Sequence, residues 1–250
     1  MTDQNGVVCI IPARSGSKGI PSKNIKDFNG HPLLAWSIAA AKLTSCINRI
    51  IVSTDDAKYA NLARKYGAEV PFLRPKILSM DGSFDIDYLR HVALWLDANE
   101  HSVPRTFAIL RPTSPLRDPS VLESAINLFE KDEKITSLRS MQASPVKPEK
   151  CYRLSADNKI KTILSSSYMG VPRQKIEKAY IFNGYIDIVR LEIFMNSDVP
   201  FGEIIYPLIT EATIDIDTVL DWEYAEYIVK KSPSQLFNYL QNLTKLNSYD

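Results

Sequence analysis

Chemistry is densest in one short stretch near the start of this 250-residue chain, Ile11-Pro-Ala-Arg-Ser-Gly-Ser-Lys-Gly-Ile-Pro-Ser-Lys-Asn24. Two glycines, three serines and the cations Arg14, Lys18 and Lys23 share one turn region. Glycine at 16 and 19 permits backbone conformations that aim N–H groups inward, while the cations neutralise charge and donate hydrogen bonds to phosphate oxygens. Such a loop can surround phosphate. It matches neither standard glycine motif: a Walker loop has Gly-Lys followed by Ser or Thr, whereas Lys18 precedes Gly19, and the dinucleotide fingerprint has three glycines. The competing reading is a solvated basic loop, the usual fate of a charge run. Position favours a ligand site, because the loop directly follows a buried apolar run.

A second constellation is Asp215-Ile-Asp217. On an extended segment, residues two apart project from one face, so the two carboxylates could hold a hard cation such as Mg²⁺ through oxygen ligands. The alternative is that one of them caps the following helix or pairs with a lysine. Asp221 and Asp55-Asp56 read as helix-start residues. His31, His91 and His101 have no partner spacing, and Trp36, Trp95 and Trp222 sit beside aliphatic residues in predicted helices, so both sets read as packing or surface residues. A catalytic triad or a zinc hydrolase finds no support.

The elements that must position these residues follow an alternating order. Val7 to Ile11 reads as a strand buried on both faces, Leu33 to Leu43 as an Ala-rich helix and Arg49 to Ser53 as a second strand. A helix from Asp55 to Tyr66 closes at Gly67, and Ala68 to Leu73 returns toward the sheet. Helices at about 85–98 and 120–130, the latter set up by Asp118-Pro119, flank a strand Thr106 to Leu110. Ile135 to Met141, Ala179 to Val189 and Glu203 to Ile209 read as further strands, with helices from Leu220 to Lys230 and from Pro233 onward. The class is α/β with a doubly wound, mostly parallel sheet whose ligands sit beyond the carboxyl ends of the strands. The rhythm breaks where Ser, Pro and Lys dominate, and Asp157-Asn158 reads as a hairpin tip. We therefore expect one domain over 1–250, with an inserted lobe at about 142–178 and a C-terminal helical extension at about 233–250.

Thirty basic against twenty-nine acidic side chains leave a formal charge of +1, which argues against a nucleic acid or an anionic membrane as partner. Cys9, Cys46 and Cys151 are too few and too scattered for a disulfide framework or a zinc site and fit a reduced cytoplasm. Met1 to Gly6 is polar and the apolar run after it stops at Pro12, too short for a signal peptide or a spanning helix.

The stretch from Ile10 to Asn24 resembles the signature loop of the acylneuraminate cytidylyltransferases, also called CMP-sialic acid synthetases. Further similar segments occur in order: Ile51-Val-Ser-Thr-Asp-Asp56, Leu73-Arg-Pro75, Leu110-Arg-Pro-Thr-Ser-Pro-Leu-Arg117, Pro172-Arg-Gln174, Asn183-Gly184 and Ile214-Asp-Ile-Asp217. The resemblance runs from about Val7 to Lys230 and implies a Rossmann-like, GT-A-like nucleotidyltransferase fold with a small dimerisation lobe. It implies transfer of CMP from CTP to the anomeric hydroxyl of a 2-keto sugar acid, with Mg²⁺, or Mn²⁺ in its place, as cofactor, in a cytoplasmic homodimer. Carried onto this chain, it places Arg14, Ser15, Gly16, Ser17, Lys18 and Lys23 around the triphosphate and Asn24 near the cytosine or ribose. Arg74 and Ser83 would close the nucleotide pocket. Arg14, Lys23 and Asp217 are the expected catalytic residues, and Asp215 and Asp217 the metal ligands.

The sugar side departs from the family pattern. Arg111 stands where Gln is common, and Ile181-Phe182 precede Asn183 where an Arg for the sugar carboxylate is usual. Arg111 is expected to supply that cation, since a guanidinium binds a carboxylate in bidentate fashion, with Lys147 or Arg173 reaching in from the inserted lobe. Thr113, Ser114, Gln174 and Asn183 complete the expected sugar site. The sugar acid itself stays open among sialic, legionaminic, pseudaminic and octulosonate types. Rival readings are another sugar nucleotidyltransferase, a glycosyltransferase that consumes a nucleotide sugar, and a silent binding protein.

Overall fold

A computed structural model of the chain describes residues 6–246. Its strands are β1 (Val7–Pro12), β2 (Asp27–Phe28), β3 (His31–Pro32), β4 (Ile47–Ser53), β5 (Thr106–Ile109), β6 (Ser137–Ala143), β7 (Tyr152–Leu154), β8 (Ile160–Thr162), β9 (Tyr180–Arg190) and β10 (Ile205–Ile209). Its helices are α1 (Leu33–Lys42), α2 (Ala57–Lys65), α3 (Asp85–Glu100), α4 (Pro119–Lys131), α5 (Leu191–Asn196), α6 (Val219–Lys231) and α7 (Gln235–Leu246).

Six strands form the central sheet in the order β10-β6-β9-β5-β1-β4. The β1 strand pairs in parallel with β4 and β5, β10 pairs in parallel with β6, and β9 alone runs antiparallel to both its neighbours. The expected mostly parallel, doubly wound sheet is thus present. The apolar run of β1 has two destinations, as a strand covered on both faces requires. Val7, Cys9 and Ile11 pack into the core shared with α1, α4, α6 and α7, whereas Val8 and Ile10 pack against α3 and α5 on the other face. The chain leaves β1 toward β4 on one side and meets β5 on the other, so the loop after β1 opens at the switch point of the sheet, where a crevice forms.

Local signals explain the helix starts. Asp56 accepts hydrogen bonds from the amides of Lys58 and Tyr59, Asp118 caps α4 with Pro119 at its first position, and Thr218 and Asp221 form a reciprocal capping box on α6. Nine of the ten residues of α1 are buried, because α7 covers the side the sheet does not. Trp36 of α1 stacks on Phe237 of α7 with ring centroids 6.1 Å apart, and Leu236 and Leu240 are fully buried. The terminal helix, to which the sequence assigned no role, is therefore part of the core.

Ala68 to Leu73 returns to the sheet as expected, through a single bridge of Glu69 to Ile51 and without forming a strand, and Leu73 is exposed. The short α5 and the two-residue ladder of β2 with β3 went unread, because neither is long enough to show a period. Between β6 and β9 the chain forms the β7–β8 hairpin and three single-turn 3-10 segments, with Asn158 in the left-handed region at the hairpin tip.

Candidate active site

A cavity of about 410 Å³ lies at the switch point. Arg14, Ser17, Lys18, Gly19, Lys23 and Asn24 come to it from the loop after β1, Arg74 and Ser83 from the segment before α3, Arg111 and Thr113 from the loop after β5, and Asp217 from the segment before α6. Residues remote in sequence thus share one chamber. Ser15 and Gly16 do not line it: Ser15 turns away and donates its amide and hydroxyl to Asp55, at 2.9 and 2.8 Å.

Lys23 ties the two halves of the site together. It is nearly buried, and its ammonium donates to the Ile216 carbonyl at 2.6 Å and to Asp217 Oδ1 at 3.0 Å. Asn24 donates its side-chain amide to the Arg14 carbonyl at 3.0 Å, which fixes the bend of the loop. Neither Gly16 nor Gly19 has positive φ, and the left-handed residue of the loop is Ser22 at 53°. Gly19 is required for another reason: a Cβ there would stand 2.5 Å from the carbonyl oxygen of Asp217. A Cβ at Gly16 would meet nothing within 4 Å.

Asp81, which sequence reasoning missed, pairs with Arg14 at 3.0 Å and with Lys18 at 2.6 Å. A hydrogen bond from Lys18, supported by the nearby charges, holds its carboxyl below the usual range. The one signal available for Asp81 was the Asp-Gly turn between Leu78 and the helix. Arg74 is buried and donates to Ser53 Oγ at 3.0 Å and to the Ser53 carbonyl at 2.5 Å, with its guanidinium over the Tyr88 ring. Burial lowers its pKa, since no carboxylate is paired with it among the described residues.

Arg111 does not offer a free guanidinium. It is held by Asp85 on one side and by Asp187 on the other, and Asp187 also accepts from Arg139 Nε at 3.1 Å. Burial alone would depress its pKa; the carboxylates of Asp187 and Asp85 outweigh that and raise it. The carboxylates expected from a sugar acid are here supplied by the protein.

The remaining sugar-side candidates separate. Thr113 lines the cavity and its carbonyl accepts the Ile216 amide at 2.8 Å. Ser114 and Asn183 lie outside it; Ser114 donates to the Asn183 carbonyl, and Asn183 donates to Thr210 Oγ1 at 2.7 Å. Lys147, Arg173 and Gln174 are not brought to this cavity; Lys147 donates to the Glu177 carbonyl and Arg173 to that of Pro145.

Asp215 and Asp217 flank the buried Ile216, so both face outward as the spacing required, yet only Asp217 reaches the cavity. Among the described residues no three His, Cys, Asp or Glu side chains gather to hold a metal. Mg²⁺ does not need such a group, because it keeps several waters and binds through one or two carboxylates plus substrate phosphates. Asp217, largely exposed with Oδ1 on Lys23, fits that donor set.

Comparison with known proteins places the chain in a family. Residues 8–175 match the family model described as cytidylyltransferase. The chain is 32% identical to the N-acylneuraminate cytidylyltransferase of Escherichia coli O18:K1:H7 over 98% of its own length, and it spans 58% of that protein's length. It is 30% identical to the CMP-N,N'-diacetyllegionaminic acid synthase of Legionella pneumophila, across 92% of this chain and 99% of that one. The solved structure of a CMP:2-keto-3-deoxy-manno-octonic acid synthetase complexed with CTP superposes with a TM-score of 0.68, at 16% identity, over 91% of this chain and 99% of that one, which supports the fold. The chain belongs to the cytidylyltransferase family of nucleotidyltransferase enzymes.

Proposed function

We propose that this protein transfers CMP from CTP to the anomeric hydroxyl of a sialic-acid-like, nine-carbon 2-keto sugar acid, releasing pyrophosphate. The observation that carries the reading is Lys23: a nearly buried ammonium that joins the phosphate-type loop to Asp217 at the mouth of a cationic cavity. Its relatives of similar sequence are named for sialic and legionaminic acids, both acids of this class.

In this reading the triphosphate lies along Arg14, Lys18 and Lys23, with Arg74 and Ser83 toward the nucleoside. The anomeric oxygen attacks the α-phosphorus, the bond to the bridging oxygen of the β-phosphate breaks, and pyrophosphate leaves. The hydroxyl proton passes to the Asp217 carboxylate or to water. Charge grows on the equatorial and leaving oxygens, and cations fixed in advance stabilise it without reorganising. Asp217 would hold Mg²⁺ or Mn²⁺ together with water and phosphate oxygens, and the ion when bound supplies further positive charge to the phosphates.

The protein acts as a homodimer in this proposal. Leu154, Ile160 and Leu164 of the hairpin region and Ile181 and Phe182 of β9 are exposed, as is Arg173, with Lys147 half-buried, and an apolar surface of this kind is expected to be covered. Those two cations would then serve a second copy's sugar. Three unpaired cysteines fit a cytoplasmic setting.

The decisive experiment measures pyrophosphate release from CTP with Mg²⁺ and a panel of 2-keto sugar acids, with and without chelator. Release with a nine-carbon acid, lost on chelation and restored by Mg²⁺, is expected. Turnover confined to an eight-carbon acid would transfer the protein to the octulosonate enzymes, and no release with any acid would remove the proposal. A monomer at working concentration would remove the dimer.

A further inference from the structure

The wall of the cavity between Arg74 and α3 has little apolar anchorage. Ile77, Met80 and Phe84 are 73%, 61% and 73% exposed, and the turn Lys76–Ser79 buries no residue. What holds this wall is largely charge. At its middle, Asp81 grips Arg14 and Lys18, and Arg14 donates weakly to the Ser79 carbonyl. At its end, Asp85, the first residue of α3, is paired with Arg111.

These two attachments differ in what an anionic ligand does to them. A triphosphate competes with Asp81 for Arg14 and Lys18, so the middle attachment weakens when the cavity fills. Arg111 also lines the cavity, but its guanidinium already has a carboxylate on each side, one of them buried. Its carbonyl accepts from Ser37 and from the buried Arg117 at 2.7 Å, and its guanidinium is shared with Asp187, which is 1% exposed and also held by Arg139. Arg139 in turn lies 3.7 Å from the Phe182 ring and 4.0 Å from the Phe201 ring. Two cations and two carboxylates close on themselves with no net charge, and none needs a substrate group for balance.

We propose that Arg111 is a positioning residue for the nucleotide: by tying Asp85 to the sheet through Asp187, it holds the turn that carries Ser83 and Phe84 against the cavity while the triphosphate occupies Arg14 and Lys18. Arg111 does not bind the sugar carboxylate.

This inference rests on the cytidylyltransferase reading, and steady-state kinetics separate the two. Arg111→Gln is expected to raise the KM for CTP about tenfold, with kcat within about twofold and the KM for the sugar acid unchanged. Asp85→Asn should reproduce that change, and the double variant should be no worse than either single one, because both break one link. Arg111→Lys, which keeps the charge without the fork, should fall between. A rise confined to the KM of the sugar acid, or effects of Arg111→Gln and Asp85→Asn that multiply, would overturn the inference while leaving the function intact. Should Arg111→Gln fail to fold because Asp187 loses a partner, Asp85→Asn with calorimetric CTP binding decides alone: unchanged affinity refutes. A wild-type protein that released no pyrophosphate would instead refute the functional reading beneath.

Discussion

Gly19→Ala tests the closest approach in the site. The added Cβ would stand 2.5 Å from the Asp217 carbonyl oxygen, against the 3.0–3.4 Å that marks an already tight contact. Relief therefore requires a shift of about 0.5–0.9 Å, the difference between those distances. The obstacle is backbone, and the neighbouring Ile216 carbonyl is held by Lys23 at 2.6 Å, so the segment cannot yield without disturbing that bond. Overpacking of this kind costs about 1–3 kcal/mol. Because a misplacement of about 1 Å can lower turnover about 100-fold, a loss of roughly 10- to 100-fold follows for a shift of this size. Gly16→Ala is the control for stability, since its Cβ meets open space and its φ is not positive; it should leave unfolding unchanged or raise stability by up to about 1 kcal/mol. Urea unfolding and pyrophosphate release on the purified variants measure both quantities. Wild-type stability and rate in Gly19→Ala would show that the two segments do not approach as described.

Three further outcomes follow. Lys23→Ala should lower turnover about 100- to 1000-fold, the usual scale for removing one preorganised charge donor, while circular dichroism stays unchanged; retained turnover would take Lys23 out of the mechanism. Asp81→Asn should tighten pyrophosphate and CTP about three- to tenfold by titration calorimetry, because it removes the carboxylate that competes for Arg14 and Lys18. The depressed pKa of Asp81 means that its charge, and so the competition, persists through the neutral range and is lost only as pH falls through that lowered value. Weaker binding would show that Asp81 serves the ligand instead. Burial pushes the Cys9 thiol up to about 12, so an aromatic disulfide reagent at pH 8 should modify no more than Cys46 and Cys151 until the protein unfolds; fast reaction of all three thiols would contradict the packing of β1.

How much of this was legible in the sequence depends on the range of the cause. Apolar runs and caps are local, so β1, α1, α4 and the hairpin tip at Asn158 could be read from neighbouring residues. The loop that lines the cavity stood out for the same reason, through its crowd of cations. Its glycine chemistry did not: Gly19 answers to a carbonyl almost two hundred residues away, which no local rule reveals. Arg111 shows the same limit from the other side. Its side chain suits a substrate carboxylate, but Asp85 and Asp187 reach it from a helix start and a strand whose proximity only the sheet order creates. Asp215 and Asp217 share a face, as alternation required, yet which of them meets the cavity depends on where that face lies in the fold.

The site is therefore better described by its pairings than by its positive charge. Five cations and three carboxylates line the cavity, and Arg14, Lys18, Lys23 and Arg111 each already have a carboxylate partner. Arg74 is the exception among the lining residues described, held by Ser53 and the Tyr88 ring. A triphosphate entering such a site exchanges one set of anions for another, so the free energy it gains is the difference between phosphate and carboxylate contacts and not the full attraction of bare cations. That difference favours a ligand whose charges match the spacing of all the cations at once. Asp81 can satisfy Arg14 and Lys18 together but reaches neither Lys23 nor Arg74, whereas an extended triphosphate has oxygens for each along its length. In the proposed function the carboxylates would thus keep the cations ordered and raise the threshold for small anions, and the geometry of the row, more than its charge, would select the nucleotide.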